Sequence, residues 1–216
     1  RAEAADSVDV LFVDEAGQIS LANTIAVSQA ARSVVLLGDP QQLEQPKRGS
    51  HPDGTDVSAL EHLLGGHQTM PPDRGLFLAT TWRLHPSICS FTSELFYESR
   101  LTSREGLDRQ EILGETQFAG AGLWFLPVQH AGNQNESAEE ADVVASLVAD
   151  LIDGTVQWRD KRGIVRPLGL CDILVVAPYN AHVATLLARL PVEARVGTID
   201  KFQGQEAPVC ILSLCS

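Results

Sequence analysis

The sequence predicts an α/β protein with a mainly parallel sheet. Short runs rich in Val, Ile and Leu alternate with stretches of helical spacing. The longest apolar runs, Val10 to Val13, Val34 to Leu37 and Ile173 to Ala177, have the length of buried strands. None approaches the roughly 18 residues a membrane helix needs. The 216 residues are 44% hydrophobic and 20% charged, with no repeat or low-complexity tract, which excludes wholesale disorder. With 16 basic and 28 acidic residues the formal charge is −12, and the pI is near 4.8. That balance excludes a histone-like polyanion binder but not a local nucleic-acid groove.

Taken in order, Val8 to Val13 reads as a strand. A helix follows from Ser20 to about Ala31, with Leu21, Ile25 and Ser28 to Gln29 on its packed face. Ser33 to Leu37 is the next strand, so a right-handed β-α-β crossover is expected. A polar loop from Pro40 to about Asp56 precedes a short helix at Val57 to Leu64. Gly65 to Gly75, with its Gly and Pro residues, is the best internal boundary and divides the chain into 1–75 and 76–216. Beyond it come a strand (Leu76 to Thr80), a helix opened by Pro86 (Ser87 to Tyr97) and an irregular stretch to about Ala121. Leu123 to Val128 reads as a strand. Ser137 and Glu140 form a capping box for a helix to about Ile152. Asp172 to Ala177, a helix over Asn180 to Leu190, and strands near Arg195 to Val196 and Val209 to Leu214 complete the order.

Cys89, Cys171, Cys210 and Cys215 form no C-x-x-C pair and lie mostly among apolar residues. They read as reduced, buried thiols of a cytoplasmic protein rather than as a zinc site or disulfide framework. The chain opens on Arg1 without Met and closes on Ser216 inside an apolar run, and so reads as cut from a longer protein.

Four constellations carry chemistry. Val10 to Val13 runs directly into Asp14 and Glu15, which places two carboxylates at the C-terminal edge of a buried parallel strand, where open α/β sheets bind ligands. Such a pair suits magnesium-dependent phosphoryl transfer, one acid for the metal and one for the attacking water. It also suits a plain strand end whose acids face solvent. Val34 to Leu37 leads into Gly38-Asp39-Pro40-Gln41-Gln42-Leu43, a second polar strand end that is equally good turn chemistry. Trp82-Arg83 before Pro86 offers a guanidinium beside a stacking ring, or else a core Trp and a surface ion pair. Thr198 and the run Asp200-Lys201-Phe202-Gln203-Gly204-Gln205-Glu206 place a hydroxyl, amides and acids after a strand, suited to phosphate or ribose, or to a polar turn.

Taken together, the five runs Asp14-Glu15-Ala16-Gly17-Gln18, Gly38 to Leu43, Trp82-Arg83-Leu84-His85-Pro86, Ala177-Pro178-Tyr179-Asn180 and Phe202 to Glu206 occur in one order. That order resembles motifs II, III, the following arginine motif, IV and V of superfamily 1 helicases. The branch is that of the nonsense-mediated-decay helicase and the replication nuclease-helicase, and the wording is closest to bacterial RecB-like nuclease–helicase fusions. The resemblance covers essentially the whole chain. It implies a RecA-like P-loop NTPase fold: part of a first domain (1–75) plus most of a second parallel-sheet domain (76–216).

The resemblance further implies ATP and Mg²⁺ as cofactors, and single-stranded nucleic acid as partner, DNA favoured and RNA possible. Asp14 would hold Mg²⁺ and Glu15 would be the catalytic base. Gln42 would sense the γ-phosphate, and Arg83 would be an arginine finger. Gln18, Gly38, Asp39, Trp82, Gln203, Gly204 and Glu206 would line or couple to the nucleotide, with Trp82 standing where the branch usually has Tyr. Pro178, Tyr179, Asn180 and Thr198 would touch the strand. His85 reads as part of its turn, and His51, His62 and His67 lack ligand spacing.

No G-x-x-x-x-G-K-[ST] loop occurs, and the arginine helix of motif VI would follow Ser216. The expectation is therefore a segment of a 5′-to-3′ translocase, inactive alone, whose partners include the missing phosphate-loop portion and a RecB-like nuclease domain. Two other readings remain open: a non-catalytic nucleic-acid-binding or interaction module, and a two-metal nuclease built on Asp14 and Glu15.

Overall fold

The structure, a computed structural model, describes residues 7–42 and 57–215. Leu43, His51 and the expected loop as far as Asp56 lie outside the described residues. The chain forms two compact units, Arg1–Thr81 with Ser90–Thr102, and Trp82–Cys89 with Ser103–Ser216. Residues 76–81 and 90–102, which fall in the 76–216 part above, thus count with the first unit.

In the first unit β1 (Val8–Val13) pairs in parallel with β2 (Ala31–Leu36), with Leu11 opposite Val34 and Val13 opposite Leu36. Parallel in-register pairing puts these four side chains on one face. Ile19, Leu60 and Met70 cover it. Val10, Phe12 and Val35 on the other face are exposed, Phe12 by 65%. Helix α1 (Leu21–Ser28) connects the strands and is capped by the Ser20 side chain, which accepts the Asn23 N–H. It ends three residues short of the expected Ala31. The Ala30 N–H closes a tight turn on Val27, and the Ala30 carbonyl accepts the Val8 N–H, drawing the chain into the ladder. Its packed side is Leu21, Thr24 and Ser28, whereas Ile25 is exposed. Helix α2 (Ala59–Leu64) has a full capping box between Ser58 and Glu61 and stops at left-handed Gly65. The strand expected at Leu76 to Thr80 is reduced to β3 (Thr80–Thr81). Leu76 and Leu78 are exposed, and the Ala79 carbonyl accepts the Thr102 N–H where the short ladder begins. Helix α3 (Pro86–Phe96) matches expectation within a residue.

The second unit centres on three parallel strands in the order β10 (Val209–Leu212), β8 (Ile173–Val176), β9 (Arg195–Gly197). The central strand β8 is buried along its whole length. Val144, Val148 and Leu151 of α4 (Ala138–Leu151) and Leu186 of α5 (Asn180–Leu187) pack with Ile173 and Val175, while Phe202 covers Leu174 and Val176 on the other face. Each such side chain contributes about 1.5–3 kcal/mol by burial.

Several elements differ from expectation. The stretch expected to be irregular before Ala121 contains β4 (Thr102–Ser103) and β5 (Glu111–Leu113). The latter joins β6 (Gln157–Arg159) and β7 (Val165–Pro167) in an antiparallel sheet. Leu123 to Val128 forms no strand, and Leu123 to Leu126 are exposed. All four cysteines are free, but Cys171 and Cys210 are exposed and only Cys89 and Cys215 are buried.

Ser137 caps α4 by accepting the Glu140 N–H, yet Glu140 does not return the bond. Its carboxylate accepts the Ser213 hydroxyl at 2.7 Å and lies 3.6 Å from His130. Ser213 in turn bonds the Nε2 of His182 (2.7 Å), whose Nδ1 accepts the Ser137 N–H (3.3 Å). An Nδ1 acceptor fixes the neutral tautomer with the proton on Nε2. His182 is fully buried and joins α4, α5 and the end of β10. Burial pushes its pKa below the ordinary 6.5, with Arg189 acting the same way against the opposing pull of Glu140 and Glu136. The unfolded chain therefore binds the extra proton first, and stability falls as pH drops below about 6.5. The thermal midpoint is expected to decline between pH 7 and pH 5 more steeply in the wild-type chain than in His182→Asn; equal slopes would refute this role.

Candidate nucleotide and strand sites

In the first unit the two strand ends form one edge. The Leu37 N–H donates to the Val13 carbonyl and the Ala16 N–H to the Leu37 carbonyl, both at 2.8 Å, so the ladder runs past the strands into both loops. The loops then touch backbone to backbone. A Cβ on Gly17 would stand 2.6 Å from the Asp39 carbonyl oxygen, and one on Gly38 (φ +147°) 2.9 Å from the Ala16 nitrogen. Asp14-Glu15 and Asp39-Gln42 are thereby brought side by side.

Glu15 has a left-handed φ of +51°. That conformation costs a non-glycine residue roughly 1–2 kcal/mol. The Glu15 N–H donates to Asp14 Oδ1 at 3.0 Å, and the Gln18 N–H closes the turn on the Glu15 carbonyl. Both acids are exposed. Asp14 is a hard oxygen donor of the kind Mg²⁺ takes when water and phosphate complete its shell. Among the described residues no group of three His, Cys, Asp or Glu side chains is placed to hold a metal without such help. The buried Nε2 of Gln18, behind this turn, has no hydrogen-bond partner. Asp39 is engaged from three directions: Oδ1 accepts the Gln41 N–H (3.0 Å), and Oδ2 accepts Gln42 Nε2 (3.3 Å) and the Tyr97 hydroxyl.

In the second unit Arg83 Nε pairs with Glu206 Oε2 at 3.1 Å, which joins two of the expected site residues. The Arg83 carbonyl accepts Gln110 Nε2, and the Leu84 carbonyl accepts the Ser103 hydroxyl. His85 accepts the Ser87 N–H on Nδ1 and so caps α3, as a part of its turn. Trp82 is 58% exposed, and the Arg104 guanidinium stacks over its ring at 3.6 Å. One face of the ring is therefore already occupied.

Strands β8 and β9 run parallel and side by side, so their C-terminal ends lie together. The Ala177 N–H donates to the Gly197 carbonyl there. Pro178, Tyr179 and Asn180 leave β8 exposed, and Thr198 leaves β9 at the start of α6 (Ile199–Phe202) with no side-chain capping bond. Lys201 reaches back to the Val196 carbonyl (2.7 Å), and Gly197 leaves room for its stem. Gln203 and left-handed Gly204 follow α6, and Gln205 bonds Arg195 and the Lys201 carbonyl.

Gly17 is part of the first motif but has no role assigned from the sequence, and Tyr97 and Arg104 lie outside every motif. Gly17 carries a local signal, a glycine two residues after paired acids at a strand end. The partners of Tyr97 and Arg104 are distant in sequence and leave no local trace. Gly17→Ala is expected to destabilise the chain by about 1–3 kcal/mol in denaturant unfolding, as an overpacked site does. Glu15→Gly is expected to be about 1 kcal/mol more stable than Glu15→Ala, because glycine relieves the left-handed backbone. Equal stabilities in either comparison would contradict the geometry.

A profile for the AAA domain (AAA_12) matches residues 55–216. DNA polymerase alpha-associated DNA helicase A of Schizosaccharomyces pombe is 25% identical over 228 residues, covering 95% of this chain and 32% of that protein. The 3′-5′ exoribonuclease HELZ2 of Mus musculus is 31% identical over 238 residues, covering 96% of this chain and 7% of that protein. DNA replication ATP-dependent helicase/nuclease JHS1 of Arabidopsis thaliana is 26% identical over 226 residues, covering 94% and 16%. The chain thus spans about a third or less of the length of these curated relatives. With the profile covering most of its residues and relatives named as helicases, the chain belongs to the AAA domain (AAA_12) family within the superfamily 1 helicases.

Proposed function

We propose that this chain is part of the motor core of an ATP-dependent helicase or translocase acting on single-stranded nucleic acid, DNA in preference to RNA, in the 5′-to-3′ direction. In this reading residues 1–75 belong to a first RecA-like domain and 76–216 to a second, apart from 76–81 and 90–102, which pack with the first unit. The observation that carries the reading is the joint strand edge, where Asp14-Glu15 and Asp39-Gln42 are held together by backbone contact at Gly17 and Gly38.

Asp14 would hold Mg²⁺, which supplies charge neutralisation to the phosphates. The exposed Glu15 carboxylate orients a water and accepts its proton. Gln42 has one amide N–H committed to Asp39 and keeps the other for a γ-phosphate oxygen, while its Oε1 can accept from the same water. Arg83 adds positive charge as the phosphoryl group transfers. Its ion pair with Glu206 is exposed, and an exposed pair contributes little to stability. The face of Trp82 opposite Arg104 stacks the adenine, and Gln18, Gln203, Gly204 and Glu206 line or couple to the nucleotide. Pro178, Tyr179, Asn180 and Thr198 contact the strand through a ring, an amide and a hydroxyl, which needs no basic surface and is consistent with the charge of −12.

The chain contains no phosphate-cradling G-x-x-x-x-G-K-[ST] loop, so by itself it should bind ATP weakly and leave it uncleaved. The cytoplasmic assignment rests on the cysteine spacing of the sequence. No helix among the described residues is long and apolar enough to cross a membrane.

In the full-length protein, Glu15→Gln should lower nucleic-acid-stimulated phosphate release at least about 100-fold with ATP affinity retained. Arg83→Ala should lower it about 1,000-fold. Wild-type turnover in Glu15→Gln would refute the assignment of the base, and phosphate release by the 216-residue chain would refute its proposed inactivity.

A further inference from the structure

In the reading above, Gln42 acts through an exposed side chain on a turn. Its Nε2 donates to Asp39 Oδ2, and the same oxygen accepts the hydroxyl of Tyr97. The backbone adds two ties, from the Gln41 N–H to Asp39 Oδ1 and from the Gln42 N–H to the Asp39 carbonyl at 3.2 Å. Asp39, Gln41, Gln42 and Tyr97 belong to the same compact unit. A bare carboxylate beside a phosphate repels it. One already accepting three donors has its charge drawn into hydrogen bonds and serves as a fixed acceptor for the Gln42 amide.

Tyr97 is itself held firmly. It directly follows α3, and its ring lies 6.1 Å from that of Phe77. The Arg100 guanidinium stacks over Phe77 at 4.8 Å and donates to Thr69, whose hydroxyl donates to Glu98. Burial, then the bond to Asp39 and its charge, push the ionisation of the phenol well above the ordinary value of 10.0, so it stays a donor at working pH.

We propose that Tyr97 is a positioning residue for γ-phosphate recognition: its hydroxyl fixes the Asp39 carboxylate, which holds the Gln42 amide with one N–H turned to the phosphate. The proposal rests on the assignment of Gln42 to the γ-phosphate, and the test separates the two. In the full-length protein, kcat and KM for ATP are measured for Tyr97→Phe, Gln42→Ala and the double variant. Phenylalanine keeps the ring against Phe77 and removes the hydroxyl alone. Tyr97→Phe is expected to lower kcat about tenfold, with KM for ATP within about twofold, because a misplaced group costs rate rather than binding. The double variant is expected to be no slower than Gln42→Ala, since both changes act through one amide. If Gln42→Ala is slow while Tyr97→Phe turns over at the wild-type rate, the proposal fails and the Gln42 assignment stands. Multiplying effects in the double variant also overturn the proposal. If Gln42→Ala turns over normally, the underlying assignment fails and the proposal with it. Should Tyr97→Phe not fold, Asp39→Asn carries the same comparison. It keeps the shape but cannot accept from all three donors, so a kcat loss that does not multiply with Gln42→Ala supports the proposal, and no loss refutes it.

Discussion

The close approach of two backbone loops is the constraint on which the first unit depends. β1 and β2 pair in parallel, and their ladder continues past the last strand residues through Leu37 to Val13 and Ala16 to Leu37. Only glycine at positions 17 and 38 lets the loops then meet at backbone distance. Side-by-side parallel strands deliver their C-terminal ends to one edge by geometry alone. Here the glycines bring those ends close enough to set two acids beside an Asp–Gln pair. The left-handed Glu15 belongs to the same arrangement, because the chain must turn sharply to leave the edge.

The second unit repeats the principle with different chemistry. β8 and β9 end together, but their loops present Tyr179, Asn180 and Thr198 instead of acids. Acids and amides thus stand at the strand ends of one parallel sheet, and a ring, an amide and a hydroxyl at the equivalent ends of the other. Between α4, α5 and β10 the neutral His182 network holds the helix that starts at Asn180 against the sheet. It makes buried polar groups, rather than apolar packing alone, responsible for the position of that helix.

Much of this was legible in the sequence where the apolar run was long. Val8 to Val13 and Ile173 to Val176 announce themselves by composition, and the polar residues that follow them fall at strand ends as expected. The small antiparallel sheet was not legible, because strands of three residues such as Glu111–Leu113 are too short to show alternation and owe their place to partners more than 40 residues away. Leu123 to Val128 has strand composition but no ladder partner among the described residues, and strand formation needs both. The Ser137–Glu140 box was half right for a related reason. Spacing shows that Glu140 can reach back to the cap, whereas tertiary structure offers it Ser213 instead. Tyr97 shows the same limit at the candidate site, since its bond to Asp39 spans 58 residues and only the fold joins them.

The ends of β1 and β2 are proposed to form one site for the terminal phosphate. Its most direct test is the ratio of affinities for a non-hydrolysable ATP analogue and for ADP, measured with Mg²⁺ in the full-length protein, in wild type and in Gln42→Ala. The wild type is expected to prefer the triphosphate, and Gln42→Ala to lose most of that preference with its ADP affinity unchanged. An unaltered preference in Gln42→Ala would contradict this.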